Sequence, residues 1–83
     1  MRRLRVRKIV RAEIVAAFEW YLERSPTAAE HFLDAVGDAM RGIGEAPEQH
    51  PIIQGRLRRV LVRRFPYAVY YKARSRSSVV GMC

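Results

Sequence analysis

The stretch from residue 58 to residue 71 constrains the fold of this 83-residue chain more than any other. It reads Arg-Arg-Val-Leu-Val-Arg-Arg-Phe-Pro-Tyr-Ala-Val-Tyr-Tyr and is rich in the β-branched and aromatic residues that strands prefer. Because proline lacks the backbone donor that a strand interior needs, Phe65-Pro66 marks a break. The stretch therefore predicts two β-strands hinged at Phe65-Pro66, and its arginines and tyrosines suit an anionic partner or a phosphate-rich substrate.

Residues 3–24 predict a strand followed by a helix. Residues 3–9 alternate arginines with apolar residues, which indicates a half-buried strand with an arginine row on its outer side. Residues 12–24 instead carry apolar residues at three- and four-residue steps, which is typical of an amphipathic helix.

Ser25-Pro26 separates this helix from a second one. The residue before a proline avoids the α region, so the first helix ends here. Ser25 as N-cap with Pro26 at the first helical position starts the next helix, and a capping box of Thr27 and Glu30 is the alternative start. Pro47 forbids the second helix from continuing.

The remaining residues predict a loop and three strands. Residues 46–55 contain two prolines and a glycine and read as a connecting loop. Strands are predicted from Leu57 onwards, over residues 68–72 and over residues 79–82, with a polar turn at residues 74–78.

The order of predicted elements is β-α-α-β-β-β. It indicates an α+β fold in which a helical hairpin packs on a small, mostly antiparallel sheet. The first strand is expected beside a late strand, so that the two ends of the chain meet. No linker divides the chain, and residues 1–83 read as a single domain.

The charges are separated along the sequence. The net charge is +8, and all eight acids lie between Glu13 and Glu48. Residues 1–11 and 55–83 hold six and eight basic residues, respectively, and no acid. If the two ends join in one sheet, that sheet is a concentrated positive surface, which suits nucleic acid or an acidic protein segment. The alternative is a solvated basic surface that only aids solubility.

The sequence does not contain the residue patterns that several common classes of functional site require. The soft metal ligands are His31, His50 and Cys83, and no two stand at ligand spacing, so we expect no metal site and no cofactor. The serines look like cap or turn residues, no glycine-rich loop follows a strand, and no acid pair suits glycosidase chemistry. One cysteine, no secretory signal and no long apolar stretch predict a cytoplasmic protein without a membrane span.

Arginine and tyrosine are the candidate site residues, either as a binding surface or as the groups of metal-free RNA cleavage. Cleavage needs a base at the 2′-hydroxyl, a cation on the phosphate and an acid for the leaving oxygen. The structural alternative is that half of these side chains face the helices. The candidate target-binding residues are Arg3, Arg5, Arg7, Arg58, Arg59, Arg63, Arg64, Tyr67, Tyr70 and Tyr71.

Short motifs along nearly the whole chain resemble those of the RelE/ParE toxins of bacterial type II toxin–antitoxin pairs, most closely the ParE-like branch. The most specific motif is Arg64-Phe65-Pro66-Tyr67-x-Val69-x-Tyr71. The others, in order, are a basic first strand, Phe18-x-Trp20-Tyr21, Ser25-Pro26-x-Ala28-Ala29-x-x-Phe32, Ile43-x-x-x-Pro47 and Leu57-Arg58-Arg59. The family usually continues into a His-x-x-Arg tail, whereas this sequence ends at Met82-Cys83, so it resembles a ParE-like chain that is short at its C-terminus.

The resemblance implies a toxin, a target and a partner. ParE-like toxins poison DNA gyrase, RelE-like toxins cleave mRNA in the ribosomal A site, and an antitoxin wraps around the toxin and blocks it. The RelE branch has an arginine directly after the tyrosine that opens the third strand, and here that residue is Ala68. We therefore expect a toxin that inhibits DNA gyrase and replication and forms a hetero-oligomer with its cognate antitoxin. The alternatives are a RelE-like ribosome-dependent endoribonuclease and a non-toxic basic module with direct nucleic-acid contact.

The helical hairpin is the expected antitoxin contact. An amphipathic helix or an added strand from the antitoxin would fit its groove with the sheet. Because consecutive helix positions differ by about 100°, the aromatic residues of the first helix cannot all face the core, and Trp20 is expected at the surface. The expected antitoxin contacts are Trp20, Tyr21 and Phe32.

Overall fold

The computed structural model describes residues 4–73 and 77–83, which form two helices and five strands. These are β1 (Arg5–Val6), α1 (Lys8–Arg24), α2 (Pro26–Glu45), β2 (Ile52–Gln54), β3 (Leu57–Leu61), β4 (Ala68–Lys72) and β5 (Ser78–Met82). Arg3 of the predicted first strand and residues 74–76 of the predicted polar turn lie outside the described residues. No helix in the described ranges is long and apolar enough to cross a membrane.

The five strands form one sheet in the order β1-β5-β4-β3-β2. β1 runs parallel to β5, and the other neighbouring strands are antiparallel. α1 contacts β5 and α2 contacts β3, so the helical hairpin covers one face of the sheet. The predicted α+β fold is confirmed, and so is the pairing of the first strand with a late one.

Ser25 and Pro26 form the joint of the helical hairpin. The Ser25 backbone N–H donates to the Tyr21 carbonyl oxygen at 2.7 Å and closes the last turn of α1. Its Oγ accepts a hydrogen bond from the Ala28 backbone N–H at 3.2 Å and caps α2. Pro26 at the first helical position needs no intrahelical donor there. The Ser25 cap is therefore the one that the structure uses, in place of the Thr27 alternative.

The core lies between the hairpin and the covered face of the sheet. Phe32 is fully buried, and its ring lies 5.3, 5.4 and 5.5 Å from the rings of Tyr21, Phe65 and Tyr67. Such aromatic pairs add about 0.5–1.5 kcal/mol each beyond the area that they bury. The other main core residues are Val10, Val36, Ile43, Val62, Val69, Tyr71, Val79 and Met82.

Tyr71 joins the core to the loop that follows α2. Its ring is fully buried, and its hydroxyl donates to the Pro47 carbonyl oxygen at 2.6 Å. On the neighbouring strand, the Arg58 Nη1 donates to the carbonyl oxygens of Glu48 at 3.0 Å and His50 at 2.8 Å. These bonds satisfy carbonyl groups that lie outside regular structure, and they fix the loop to the helix-facing side of β3 and β4.

Three boundaries near the ends of the chain differ from the prediction. β1 has two residues, and α1 begins at Lys8 instead of residue 12. The Arg7 carbonyl oxygen accepts hydrogen bonds from the Val10 and Arg11 backbone N–H groups at 3.0 and 3.1 Å, and this first turn of α1 carries the fully buried Val10 into the core. β5 begins at Ser78, one residue earlier than predicted, because Ser78 pairs with Arg5.

β2 lies inside the segment that was predicted to be a loop. Ile52–Gln54 is exposed throughout and pairs with Leu57 and Arg58 of β3. The chain reverses at Gly55, whose φ of 56° is a conformation that glycine adopts without strain. An exposed strand of three residues has no buried side, so the sequence shows no alternation there.

We expect Tyr71→Phe to lower the free energy of unfolding by about 1–3 kcal/mol, because the buried Pro47 carbonyl loses its donor. Tyr70→Phe is the matched control. It removes the same hydroxyl from the neighbouring residue, which is half-buried on the other face of the sheet, and should change stability by less than about 0.5 kcal/mol. Urea denaturation followed by circular dichroism measures both, and equal losses in the two variants would contradict the role of Tyr71.

The same variants should differ at alkaline pH. Burial raises the pKa of the Tyr71 hydroxyl, and the Arg58 guanidinium acts in the opposite direction. The unfolded chain therefore loses this proton at a lower pH than the folded chain does. The unfolding free energy of the wild type should begin to fall above about pH 10 and continue to fall until the pH passes the raised pKa of the folded protein. Tyr71→Phe should show a shallower fall than Tyr70→Phe in the same denaturation series.

Candidate binding face of the sheet

One face of the sheet is covered by the helices, and the other is open. Strand residues alternate between the two faces. Val69 and Tyr71 of β4 point into the core, so Tyr70 and Lys72 point away from it. The residues that pair with Tyr70 and Lys72 on the neighbouring strands point the same way. We call this uncovered side of the sheet the open sheet face. Its residues are Arg5, Arg7, Leu57, Arg59, Leu61, Tyr70, Lys72, Ser78 and Val80.

The strand register fixes which of these side chains are neighbours. Ser78 of β5 lies between Arg5 of β1 and Lys72 of β4, and it pairs with both. One step along the sheet, Tyr70 pairs with Arg59 on β3 and with Gly81 on β5. The first row of paired residues, Arg5–Ser78–Lys72, thus places two basic side chains beside a hydroxyl group. The second row, Arg59–Tyr70–Gly81, places a basic side chain beside an aromatic ring.

The open sheet face carries no acid. The acidic residues lie in α1, in α2 and in the loop after α2, where they belong to the helical side of the molecule. Within the described ranges, the ion pair found is Arg41–Asp38 at 2.7 Å, and both residues belong to α2. The molecule is therefore electrostatically two-sided, with a positive sheet face and acids on the helical layer.

Four predicted target-binding residues lie together on this face. Arg5, Arg7 and Arg59 are exposed, and Tyr70 is half-buried between β3 and β5. Arg3, the other predicted first-strand contact, is outside the described residues.

Arg58 and Tyr71 do not belong to the open sheet face, so that part of the prediction is wrong. Arg58 is turned towards the loop after α2, where Glu48 and His50 accept its hydrogen bonds. Tyr71 is fully buried, so its side chain cannot touch a macromolecular target. The two residues pair with each other across β3 and β4, and both point to the helix side of the sheet.

Arg63, Arg64 and Tyr67 lie at the β3–β4 turn instead of on the face, which corrects the expectation of one continuous surface. Arg63 and Arg64 line a shallow groove of about 240 Å³ beside Asp34 and Asp38 of α2. Tyr67 packs on Phe32 and is half-buried. The turn moves these three side chains to one end of the molecule.

The three expected antitoxin contacts differ in exposure. Trp20 is 50 % exposed, and the Arg24 guanidinium stacks 3.6 Å from its ring centre. Tyr21 is half-buried, and the pKa of its hydroxyl is raised by burial and further by Tyr67. Phe32 is fully buried in the core, so its assignment as a direct contact is wrong.

A groove beside Trp20 is the accessible part of the hairpin–sheet boundary. It has a volume of about 590 Å³ and runs between α1 and the ends of β4 and β5. Its lining is mostly apolar and includes Ala16, Trp20, Pro66, Tyr67 and Met82. The exposed Trp20, predicted from the spacing of the aromatic residues on α1, thus lies at the rim of a concave surface.

Lys72 and Ser78 are candidate site residues that were not among those predicted from the sequence. Lys72 shares its face with Tyr70, so the alternation of β4 could have identified it. Ser78 was assigned to a turn, and it is the pairing with Arg5 and Lys72 that brings it between two cations.

The chemistry available on the open sheet face is the binding of oxyanions. Arginine donates two parallel hydrogen bonds to a phosphate or carboxylate, and lysine adds a point charge. Among residues 4–73 and 77–83, no group of three or more His, Cys, Asp or Glu side chains is placed to hold a metal ion. No protein-family model matches the chain, and no curated protein matches it.

The conformation of Arg64 makes a stability test of the β3–β4 turn possible. The Phe65 N–H donates to the Val62 carbonyl oxygen at 3.2 Å, and Arg64, the third residue of this turn, has a φ of 72°. A residue with a side chain pays about 1–2 kcal/mol to adopt this left-handed conformation, whereas glycine adopts it without strain. Glycine in turn lowers stability by about 0.5–1 kcal/mol, because it gives the unfolded chain more conformational freedom.

We therefore expect Arg64→Gly to raise the free energy of unfolding by about 0.5–1 kcal/mol, which moves Tm up by several degrees in a domain of this size. Arg63→Gly is the control, because Arg63 has no positive φ to relieve, and it should lower Tm. Calorimetry measures the Tm of both variants. A Tm of Arg64→Gly below that of the wild type would contradict the prediction that the backbone at Arg64 is strained.

Proposed function

We propose that this chain is a toxin of a type II toxin–antitoxin system, of the ParE-like branch of the RelE/ParE superfamily. It would act in the cytoplasm by binding DNA gyrase and inhibiting replication, and a cognate antitoxin would neutralise it in a hetero-oligomer. The observation that carries the proposal is the acid-free open sheet face, which the helical hairpin of the β-α-α-β-β-β-β fold leaves uncovered.

The arrangement of the residues supports binding more than catalysis. Of the tyrosines that could share a proton with a nucleophile, Tyr71 is fully buried, with its hydroxyl bonded to Pro47. Burial also raises the pKa of Tyr71, so even less of it is deprotonated and able to accept a proton near neutral pH. Ala68, where the RelE branch has an arginine, is 6 % exposed. The open sheet face thus offers charge and contact area with few groups that could move a proton.

The groove beside Trp20 is the place that we propose for the antitoxin. Exposed Trp and Arg side chains are frequent energetic centres of protein interfaces, and here Arg24 stacks on Trp20 beside an apolar groove. The net charge of +8 would steer an acidic antitoxin segment towards the toxin.

The second candidate function is the RelE-like endoribonuclease. The observation that favours it is the direct pairing of Arg59 with Tyr70 on the open sheet face. A guanidinium next to a phenol could hold a scissile phosphate and interact with the 2′-hydroxyl. This candidate predicts cleavage of ribosome-bound mRNA, whereas the gyrase toxin leaves mRNA intact.

Labelled thymidine and labelled methionine, followed after induction of the chain in a bacterium without the antitoxin, distinguish the two functions. The gyrase proposal expects thymidine incorporation to fall first and purified gyrase to lose supercoiling activity. If methionine incorporation falls first, translation is the target and the endoribonuclease replaces the proposal. If neither falls, the chain is not a toxin.

Charge-reversal variants test whether the open sheet face carries the effect. Arg59→Glu should relieve growth arrest and restore thymidine incorporation, because Arg59 is exposed on the open sheet face. Arg41→Glu is the matched control. It changes the net charge equally, but Arg41 lies on α2, in an exposed ion pair worth little stability. Equal relief by both variants would mean that net charge alone, and not this face, is responsible.

A further inference from the structure

A trough runs along β5 on the open sheet face. It has a volume of about 550 Å³, and β1 and β4 form its two sides. It is lined by Arg5, Val6, Arg7, Lys72, Ser78 and Val80. Its charged side chains are all cations, and they come from both sides.

The strand geometry sets the spacing of these cations. Arg5 lies in β1, and Arg7, two residues further on, is the extended residue that precedes α1, so their Cα atoms are roughly 7 Å apart. Lys72 stands across β5 from Arg5, two strand spacings or roughly 10 Å away, with Ser78 between them. One extended chain of anions fits between β1 and β4, while a double helix is too wide to enter.

The chemistry of the trough matches phosphate groups in series. Arg5 and Arg7 can each donate two hydrogen bonds to a phosphate, Lys72 adds charge from the opposite side, and the Ser78 hydroxyl can donate from the floor. An acidic peptide fits less well, because the trough has no carboxylate for the basic groups that most peptides also carry.

The next row of the sheet offers a stacking surface. Tyr70 lies one step from Lys72 on the same face and pairs with Gly81, where a β-carbon would meet nothing within 4 Å. The surface above Gly81, across the strand pair from Tyr70, is therefore open. Proteins that bind single strands combine such a ring, on which a base stacks, with a positive groove along the backbone.

We propose that the trough binds the phosphodiester backbone of a single-stranded nucleic acid between Arg5, Arg7 and Lys72, with one base stacked on Tyr70. This inference adds a ligand to the proposed function. It rests on that function in one respect, namely that the open sheet face contacts the target. At gyrase the strand would be DNA, so the toxin would touch the DNA as well as the enzyme.

The test is fluorescence anisotropy of the full chain with labelled oligothymidine and oligouridine of roughly twelve nucleotides. Three phosphate contacts predict a slope of log K against log salt of about −2 between about 50 and 200 mM salt. Arg5→Ala and Lys72→Ala should each make the slope shallower by about 0.7. Arg41→Ala, an exposed arginine on the helical side, should leave it unchanged.

Tyr70 gives a second, independent readout. Tyr70→Ala should weaken binding at least about fivefold through lost stacking, whereas Tyr70→Phe keeps the ring and should stay within about twofold. Circular dichroism melts check the fold of each variant. If Lys72→Ala or Arg5→Ala melts early, Lys72→Gln or Arg5→Gln keeps the length of the side chain and takes its place.

Four outcomes decide the inference, two in its favour and two against it. Tighter binding of oligothymidine supports the trough with DNA as its ligand, and tighter binding of oligouridine supports the same site with RNA. Equal effects of Arg5→Ala, Lys72→Ala and Arg41→Ala would overturn it, because binding would then follow net charge. Displacement of the oligonucleotide by poly-L-glutamate as readily as by unlabelled oligonucleotide would also overturn it, in favour of an acidic protein segment.

The two proposals can fail separately. Trough-dependent oligonucleotide binding by a chain that leaves thymidine incorporation unchanged would remove the toxin and keep the nucleic-acid site. A fall in thymidine incorporation that Arg5→Ala and Lys72→Ala do not relieve, with no oligonucleotide binding, would keep the toxin and remove the site.

Discussion

The pairing of β4 on both of its edges is the constraint on which the rest of the structure depends. β3 and β5 lie on either side of β4, and its two faces have different environments. Val69 and Tyr71 are fully buried against the helical hairpin, while Tyr70 and Lys72 lie on the open sheet face. A shift of β4 by one residue would exchange the two sets, exposing core residues and burying a lysine. The core and the candidate site are therefore fixed by one register.

The separation of charge follows from the same layering. The helices carry the acids on their solvent side, and the sheet carries arginine and lysine on the face that they leave uncovered. Within residues 4–73 and 77–83 both helices pack on the same side of the sheet, so the other face is available to a partner. Self-repulsion among its cations opposes folding, and an anionic partner would relieve it. This is why the open sheet face is our candidate for the binding side of the molecule.

The sequence predicted the fold better than the site. Period-two and helical spacing, together with the Ser25-Pro26 stop, are local signals, and they placed the helical hairpin and the later strands. Arg58 and Arg59 are adjacent on one strand and Tyr70 and Tyr71 on another, so one member of each pair must face the helices. The apolar run at Val60 to Val62 did not indicate which arginine it is, and the prediction was wrong in placing all four residues on the target-binding face. Phe32 was misassigned because an aromatic residue on a helix can serve either as a partner contact or as core.

The sequence by itself determined the α+β class, the hairpin joint at Ser25-Pro26 and the confinement of the acids to residues 13–48, because each depends on residues that are close in the chain. The tertiary structure alone decided that Arg5, Ser78 and Lys72 form one row. It also decided that Arg63 and Arg64 lie apart from that row, beside α2. The physical reason is that strand pairing joins residues more than sixty positions apart, and only the register of β1, β5 and β4 states which side chains meet.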